Sequence, residues 1–158
     1  MEQENNTTVR MYQAVDRVPL QALIQRTIDI CYCGHYCAEA VRFFKGYHSE
    51  QAIRRDADEG CTAVLDRAGR ILGTGTLVGD EIKRVFVDPA FQRQGLGRLI
   101  MHHLEERAAA SGINSIRLDA SLPSKAFYDR LGYATVEAAF LEVENGRRLD
   151  FFRMQKIL

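Results

Sequence analysis

Leu20, Leu23, Ile24, Ile28 and Cys31 fall three and four residues apart, the spacing of one helix face, and Asp16 stands ahead of them as a cap. Pro19 is tolerated there, because the first turn of a helix does not need its missing N–H. The preceding TVRMYQAV reads as a strand. Two shorter helices are expected over Ala38–Gly46 and Ser49–Glu59, the second capped by Ser49 and ended by Gly60. CTAVLD and RILGTGTLVG read as strands joined by a turn at Asp66–Gly69, and EIKRVFV as a third strand stopped by Asp88-Pro89. Leu96, Leu99, Ile100, Leu104 and Ala108 mark one face of a further helix that ends at Gly112. SIRLDA is a strand, and SLPSKAFYDRLGY a short helix closed by Gly132. Two last strands meet around Glu144-Asn145-Gly146-Arg147, where Asn-Gly is the strongest short hairpin signal. Their alternation is imperfect, so the turn is better defined than the register.

This order predicts a mixed α/β (α+β) sandwich with helices on both faces of a largely antiparallel sheet. The chain shows no internal repeat and no Pro/Gly/Ser linker, so residues 1–158 read as one domain, with a polar flexible tail over 1–8. At 158 residues it is long enough to bury a real core.

Composition narrows the function classes. Hydrophobic residues make up 46% and charged residues 27%, a soluble globular balance. Lys plus Arg equals Asp plus Glu, at 21 each, which argues against a general nucleic-acid binder. No apolar run approaches the roughly 18 to 20 residues that cross a bilayer, and MEQENNTT lacks the basic-then-apolar form of a secretory signal. Neither a nucleic-acid nor a membrane partner is expected. Cys31, Cys33 and Cys37 surround His35 in CYCGHYC, but the spacing matches no standard zinc pattern and no second cysteine pair follows. The expectation is no metal, and reduced thiols in a cytoplasmic protein.

The chemistry starts at FQRQGLGRLI, where Gly95 and Gly97 open a helix. Amides at a helix start lack internal partners and carry partial positive charge, which suits an anion and often a phosphate. A Walker loop needs G-x-x-x-x-G-K-[ST]; here Gly97 is followed by Arg98 and Leu99. A dinucleotide fingerprint needs G-x-G-x-x-G straight after a strand; here the third position is Ile100, and DPAFQRQ intervenes. Asp119 lies near the distance expected of a ribose-binding acid, which keeps that reading in view.

Gln92-Arg93-Gln94-Gly95-Leu96-Gly97, following VFVDP, resembles the pyrophosphate loop of the GNAT superfamily, the acyl-CoA-dependent N-acyltransferases. SLPSKAFYDRLGY, about thirty residues on, is similar to a second signature of the same family. The resemblance spans the element order from about residue 9 to the end. It implies a GNAT-like fold, with a mixed sheet of about seven strands, and acetyl-CoA as co-substrate.

Residue roles follow from the resemblance and from chemistry together. Amides from Gln94 to Arg98, including those of Gly95, Leu96 and Gly97, would converge on the pyrophosphate as an anion-binding concavity. Arg93 and Arg98 would add charge, Arg98 pointing the more outward. The resemblance implies that Arg84–Val87 pairs with the pantetheine arm through its backbone, as an added strand does; Val85, Phe86 and Val87 join that surface. Ser121 and Ser124 fall beside it, Ser121 being also read as a helix cap. A phenol is protonated near neutrality, its ordinary pKa being roughly 10, so Tyr128 is the general-acid candidate at the thioester sulfur. Glu81 is the candidate base, with a solvated strand-end carboxylate as the competing reading. His35 and Tyr36 are expected on the acceptor wall. Asp119 is read as a strand-end residue, and His102 and His103 as surface or boundary residues.

These readings predict an N-acetyltransferase acting on a primary amine of a small molecule or peptide. Because the cysteines lie outside both motifs, direct transfer is expected rather than a covalent acyl-enzyme. The alternative is a non-catalytic acyl-CoA-binding or sensor module on the same fold. Dimers are common among homo-oligomers and in the family it resembles, so a homodimer is one state open to the chain.

Overall fold

Alternation and turn chemistry resolve into seven strands and five helices in the computed structural model, which describes residues 6–158. Most of the tail expected over residues 1–8 lies outside the described residues, and Thr8 already opens the first strand. In chain order the elements are β1 (Thr8–Met11), α1 (Arg17–Cys31), α2 (Ala38–Tyr47), α3 (Glu50–Glu59), β2 (Cys61–Arg67), β3 (Arg70–Val78) and β4 (Glu81–Val87). After these come α4 (Leu96–Ala110), β5 (Ser115–Ser121), α5 (Lys125–Arg130), β6 (Ala134–Glu142) and β7 (Arg148–Ile157). The sheet runs β1-β2-β3-β4-β5-β7-β6, and every neighbouring pair is antiparallel except β4 with β5.

Two local expectations change. β1 is shorter than TVRMYQAV, because the chain leaves the sheet and makes a 3-10 turn at Ala14–Asp16. Asp16 does not cap α1 with its side chain. Its carboxylate, 3% exposed, accepts from the Gln13 amide at 2.8 Å and from Arg10 at 2.8 and 2.9 Å. A buried carboxylate needs such partners more than a helix end needs a cap. Ser49 does cap α3, accepting from the Ala52 amide at 3.2 Å.

Helix α4 buries Leu96, Ile100, Met101, Leu104 and Ala108 against one face of the sheet, while Leu99 is exposed. The buried stripe is thus turned toward Met101. Gly75 of β3 sets this seat: a Cβ there would stand 2.5 Å from Ile100 and 2.9 Å from Leu104. Leu20, Leu23, Ile24 and Ile28 of α1 pack with Ile53, Val64 and Phe86 to form a second core on the opposite face.

Strand β4 is irregular on both of its sides. Beyond the pair Glu81–Arg117, β4 and β5 separate, leaving Ile82–Val87 without a strand neighbour on that side. At about 3.3 Å per residue this is roughly 20 Å of open edge. On its other side β4 bulges, since Thr74 pairs with Phe86 but Thr76 with Lys83. Arg84 and Val85 both oppose Gly75, and Arg84 takes a left-handed φ of 58°.

Candidate active site

Two clefts border the open edge of β4. The larger, about 710 Å³, lies between the start of α4, the end of α1, β4 and α5. Gln92, Arg93, Gly95, Leu96, Gly97 and Arg98 line it, as do Val85, Phe86, Val87 and Ser124. Gln94 is exposed and is not part of this lining.

The turn into α4 alternates left-handed residues, Arg93 at φ 62° and Gly95 at φ 76°, which aims successive backbone N–H groups the same way. The first intrahelical bond runs from the Leu99 amide to the Gly95 carbonyl. The amides of residues 96–98 therefore have no partner within the helix. Gly97 serves differently from Gly95: a Cβ there would meet the Phe127 ring at 3.0 Å. Gln92 braces the turn by donating to the Val87 carbonyl at 3.0 Å. Arg98, read as the more outward arginine, lies on the cleft wall.

The smaller cleft, about 180 Å³, is bounded by α2, β4, β5 and the β6–β7 hairpin. Glu81, Asp119, Ser121, Ser124 and Tyr128 line it. Tyr32, Val85, Phe86, Ser124 and Tyr128 border both clefts, so the two meet at the bulge. Tyr128 is 7% exposed, and burial pushes its phenol well above the ordinary tyrosine range. It therefore stays protonated and can donate. Burial likewise raises Tyr32, to about 12.

Glu81 is half-buried, with Arg117 at 3.4 Å. Asp119, read as a strand-end residue, faces the same cleft. Partial burial and then the charge of Glu81 raise its pKa above the ordinary aspartate value. Ser121 does not cap the following turn; its hydroxyl lies 2.7 Å from that of Ser124.

A buried network holds the bulge. Arg84 donates to Asp56 of α3 at 2.7 Å and to Nδ1 of His48 at 3.1 Å, and Lys83 approaches Asp56 at 3.7 Å. Burial opposes ionisation of Asp56, but the hydrogen bond and charge of Arg84, with Arg55 and Lys83, together outweigh it and keep the carboxyl below its usual value. His48 is driven the other way: burial first, then Arg84, lowers it to about 3, so it stays neutral. Sequence reading missed this network, because its members lie 28 and 36 residues apart.

The segment CYCGHYC is divided between roles. His35 is exposed and lines neither cleft. Tyr36 is held elsewhere, donating to the Asp150 carbonyl at 2.7 Å and accepting from the Leu122 amide at 2.8 Å. Tyr32 and Cys31 reach the larger cleft instead. Cys31 thus lies on its wall although outside both motifs, with its sulfur 3.6 Å from Gln92. All four cysteines are free, and no metal-binding group of three His, Cys, Asp or Glu forms among the described residues. Within the same residues no helix is long and apolar enough to cross a membrane.

The sheet parts beside a bulged fourth strand and an amide-lined helix start, and comparison with known proteins gives the family. The acetyltransferase (GNAT) domain matches residues 32–158. The chain belongs to the GNAT acetyltransferase family. It is 22% identical to the N-acetyltransferase YafP of Escherichia coli over 152 residues, covering 96% of this chain and 97% of that protein. A GCN5-related N-acetyltransferase from Rhodopseudomonas palustris superposes with a TM-score of 0.88 at 22% identity, covering 97% and 96% of the two chains. The PaiA N-acetyltransferase from Thermoplasma acidophilum, solved with coenzyme A, gives a TM-score of 0.77 at 14% identity, covering 97% and 99%.

Proposed function

We propose that this chain moves an acetyl group from acetyl-CoA directly to a primary amine. The observation that carries the reading is that the two clefts beside the open β4 edge share Tyr128 and the β4 residues next to the bulge. The larger cleft fits coenzyme A by its donor chemistry: free helix-start amides beside Arg93 and Arg98 suit a pyrophosphate, and the open β4 edge suits an extended amide arm. The relative solved with coenzyme A has the same fold. When bound, acetyl-CoA supplies an activated acyl carbon and a thiol leaving group.

The chain's own groups then divide the work. The Glu81–Asp119 pair attracts the incoming ammonium and takes its proton, freeing the nitrogen to bond to the acetyl carbon. At the bulge one backbone position leaves the ladder, so its amide is free to donate to the carbonyl oxygen as negative charge builds. Tyr128 gives a proton to the sulfur as the carbon–sulfur bond breaks. One amide and one free thiol result: the ammonium nitrogen gives up two protons to the carboxylate pair, of which one restores Tyr128 and the other passes to solvent. Tyr128 and two carboxylates on one cleft support catalysis over a non-catalytic acyl-CoA sensor.

The test combines calorimetric titration with acetyl-CoA, using NAD and ATP as controls, with an assay of amine-dependent thiol release. Binding of acetyl-CoA alone, with thiol release, is expected; no binding of acetyl-CoA overturns the reading. Cys31→Ser separates the two routes, since direct transfer survives it and a covalent acyl-cysteine does not.

A further inference from the structure

The smaller cleft constrains which amine can enter it. Its outer wall is built from Phe43, Phe44 and Tyr47 of α2 with Leu141, Leu149 and Phe151 of the β6–β7 hairpin. Three of these large side chains stand open to solvent: Phe43 at 38%, Tyr47 at 46% and Leu141 at 40%. Apolar side chains gathered at the mouth of a concave site mark a surface that a ligand covers.

The charges around the cleft are unequal in availability. Four charged residues line it: Glu81, Lys83, Arg84 and Asp119. Both cations are directed at Asp56, Arg84 at 2.7 Å and Lys83 at 3.7 Å. The remaining Arg84 nitrogen, Nη2, has no hydrogen-bond partner but is closed off from solvent, so an entering ligand does not reach it. An acceptor's carboxylate would have to draw Lys83 away from Asp56 while lying beside Glu81 and Asp119, so the cleft disfavours one. The two carboxylates face the cleft and pair with arginines outside its lining, Arg117 at 3.4 Å from Glu81 and Arg153 at 3.8 Å from Asp119.

Size supplies the last constraint. A cavity of about 150 Å³ admits one benzene-sized ring, and this cleft is about 180 Å³ with an open mouth. We infer that the acceptor is a primary monoamine carried on one apolar ring or a comparable branched chain, without a carboxylate or a second charge. This rests on the acetyl-transfer reading of the same site. The ring lies between α2 and the β6–β7 hairpin, and the ammonium lies at Glu81 and Asp119. On transfer that nitrogen gains the acetyl group and loses two protons, one matched by the proton on the departing thiol of coenzyme A and the other released to solvent.

Benzylamine is the probe, set against phenylglycine, which adds only a carboxylate, p-xylylenediamine, which adds a second amine, and glucosamine, which replaces the apolar ring with hydroxyls. Each is titrated calorimetrically into the full chain loaded with coenzyme A, and each is assayed for thiol release with acetyl-CoA. Benzylamine is expected to bind at least about tenfold more tightly than the other three. Phe43→Ser, an exposed position where folding is not at stake, should weaken benzylamine by about tenfold and leave acetyl-CoA binding unchanged. Tyr47→Ser provides a second variant with the same expectation. Equal or tighter binding of phenylglycine, the diamine or glucosamine overturns the inference, as does absence of benzylamine binding to the loaded protein. Benzylamine that binds as expected but is never acetylated overturns the transfer reading instead, and leaves the amine site standing.

Discussion

Tyr128 is buried at the one place where both clefts meet, and its burial favours the neutral, donating phenol. Tyr128→Phe keeps the ring and removes the proton. Turnover should fall on the order of 10²-fold with acetyl-CoA affinity little changed, as measured by steady-state kinetics beside calorimetry. The acidic limb of kcat/KM tests the carboxylates. Glu81 raises the Asp119 pKa, so its negative charge holds the limb at higher pH. Glu81→Gln removes that charge, so Asp119 should ionise more readily and the limb should move to lower pH, alongside a reduced rate. Single residues were unevenly legible in the sequence. The pattern that marked Tyr128, Gly95 and Gly97 is local, and all three border the larger cleft. Tyr32 was not singled out, although it lies in the same short segment as Tyr36, because only the packing of α1 on β4 decides which tyrosine turns inward.

Elements were the best-read level, since periodicity and turn residues act over a few positions. The hairpins around Asp66–Gly69 and Asn145-Gly146 form where the turn chemistry placed them. The β4 bulge had no such signature: a left-handed arginine is set by Asp56 and His48 on other elements, not by its neighbours in sequence. That network predicts a pH effect on stability. With His48 lowered to about 3 in the folded chain against an ordinary 6.5, the unfolded chain binds the extra proton between those values. Stability should therefore fall as pH drops below 6.5, by up to about 1.4 kcal/mol per pH unit. Groups facing His48 include Arg84, Lys83, Asp56 and Tyr47. His48→Asn retains an acceptor for Arg84, and urea titrations across that range should show a flatter slope. At the start of α4, Gly97→Glu brings bulk against Phe127 and a negative charge among the free amides. Loss of acetyl-CoA binding is expected, with the circular dichroism spectrum of the fold retained.

At the scale of the molecule, the order of elements anticipated the sandwich, but nothing local showed that β4 and β5 part after one pair. The acceptor wall illustrates the same limit. His35 and Tyr36 were expected on that wall from the family layout, but neither lines the smaller cleft, whose wall comes from α2 and the distant β6–β7 hairpin. Such a wall arises only when segments about a hundred residues apart come together.

The parted sheet also bears on how firmly the two sides of the protein are joined. Strands β1–β4 form one hydrogen-bonded ribbon and β5–β7 another, and a single residue pair stitches them. An arm laid along β4 would act as a missing rung, so occupancy and rigidity should rise together. Hydrogen–deuterium exchange reads this directly. Amides of residues 82–87 that face the opening should exchange fast in the free protein and slow on addition of acetyl-CoA, and the melting temperature should climb with its concentration. The opening that admits the co-substrate would then also be the seam along which the empty protein first comes apart.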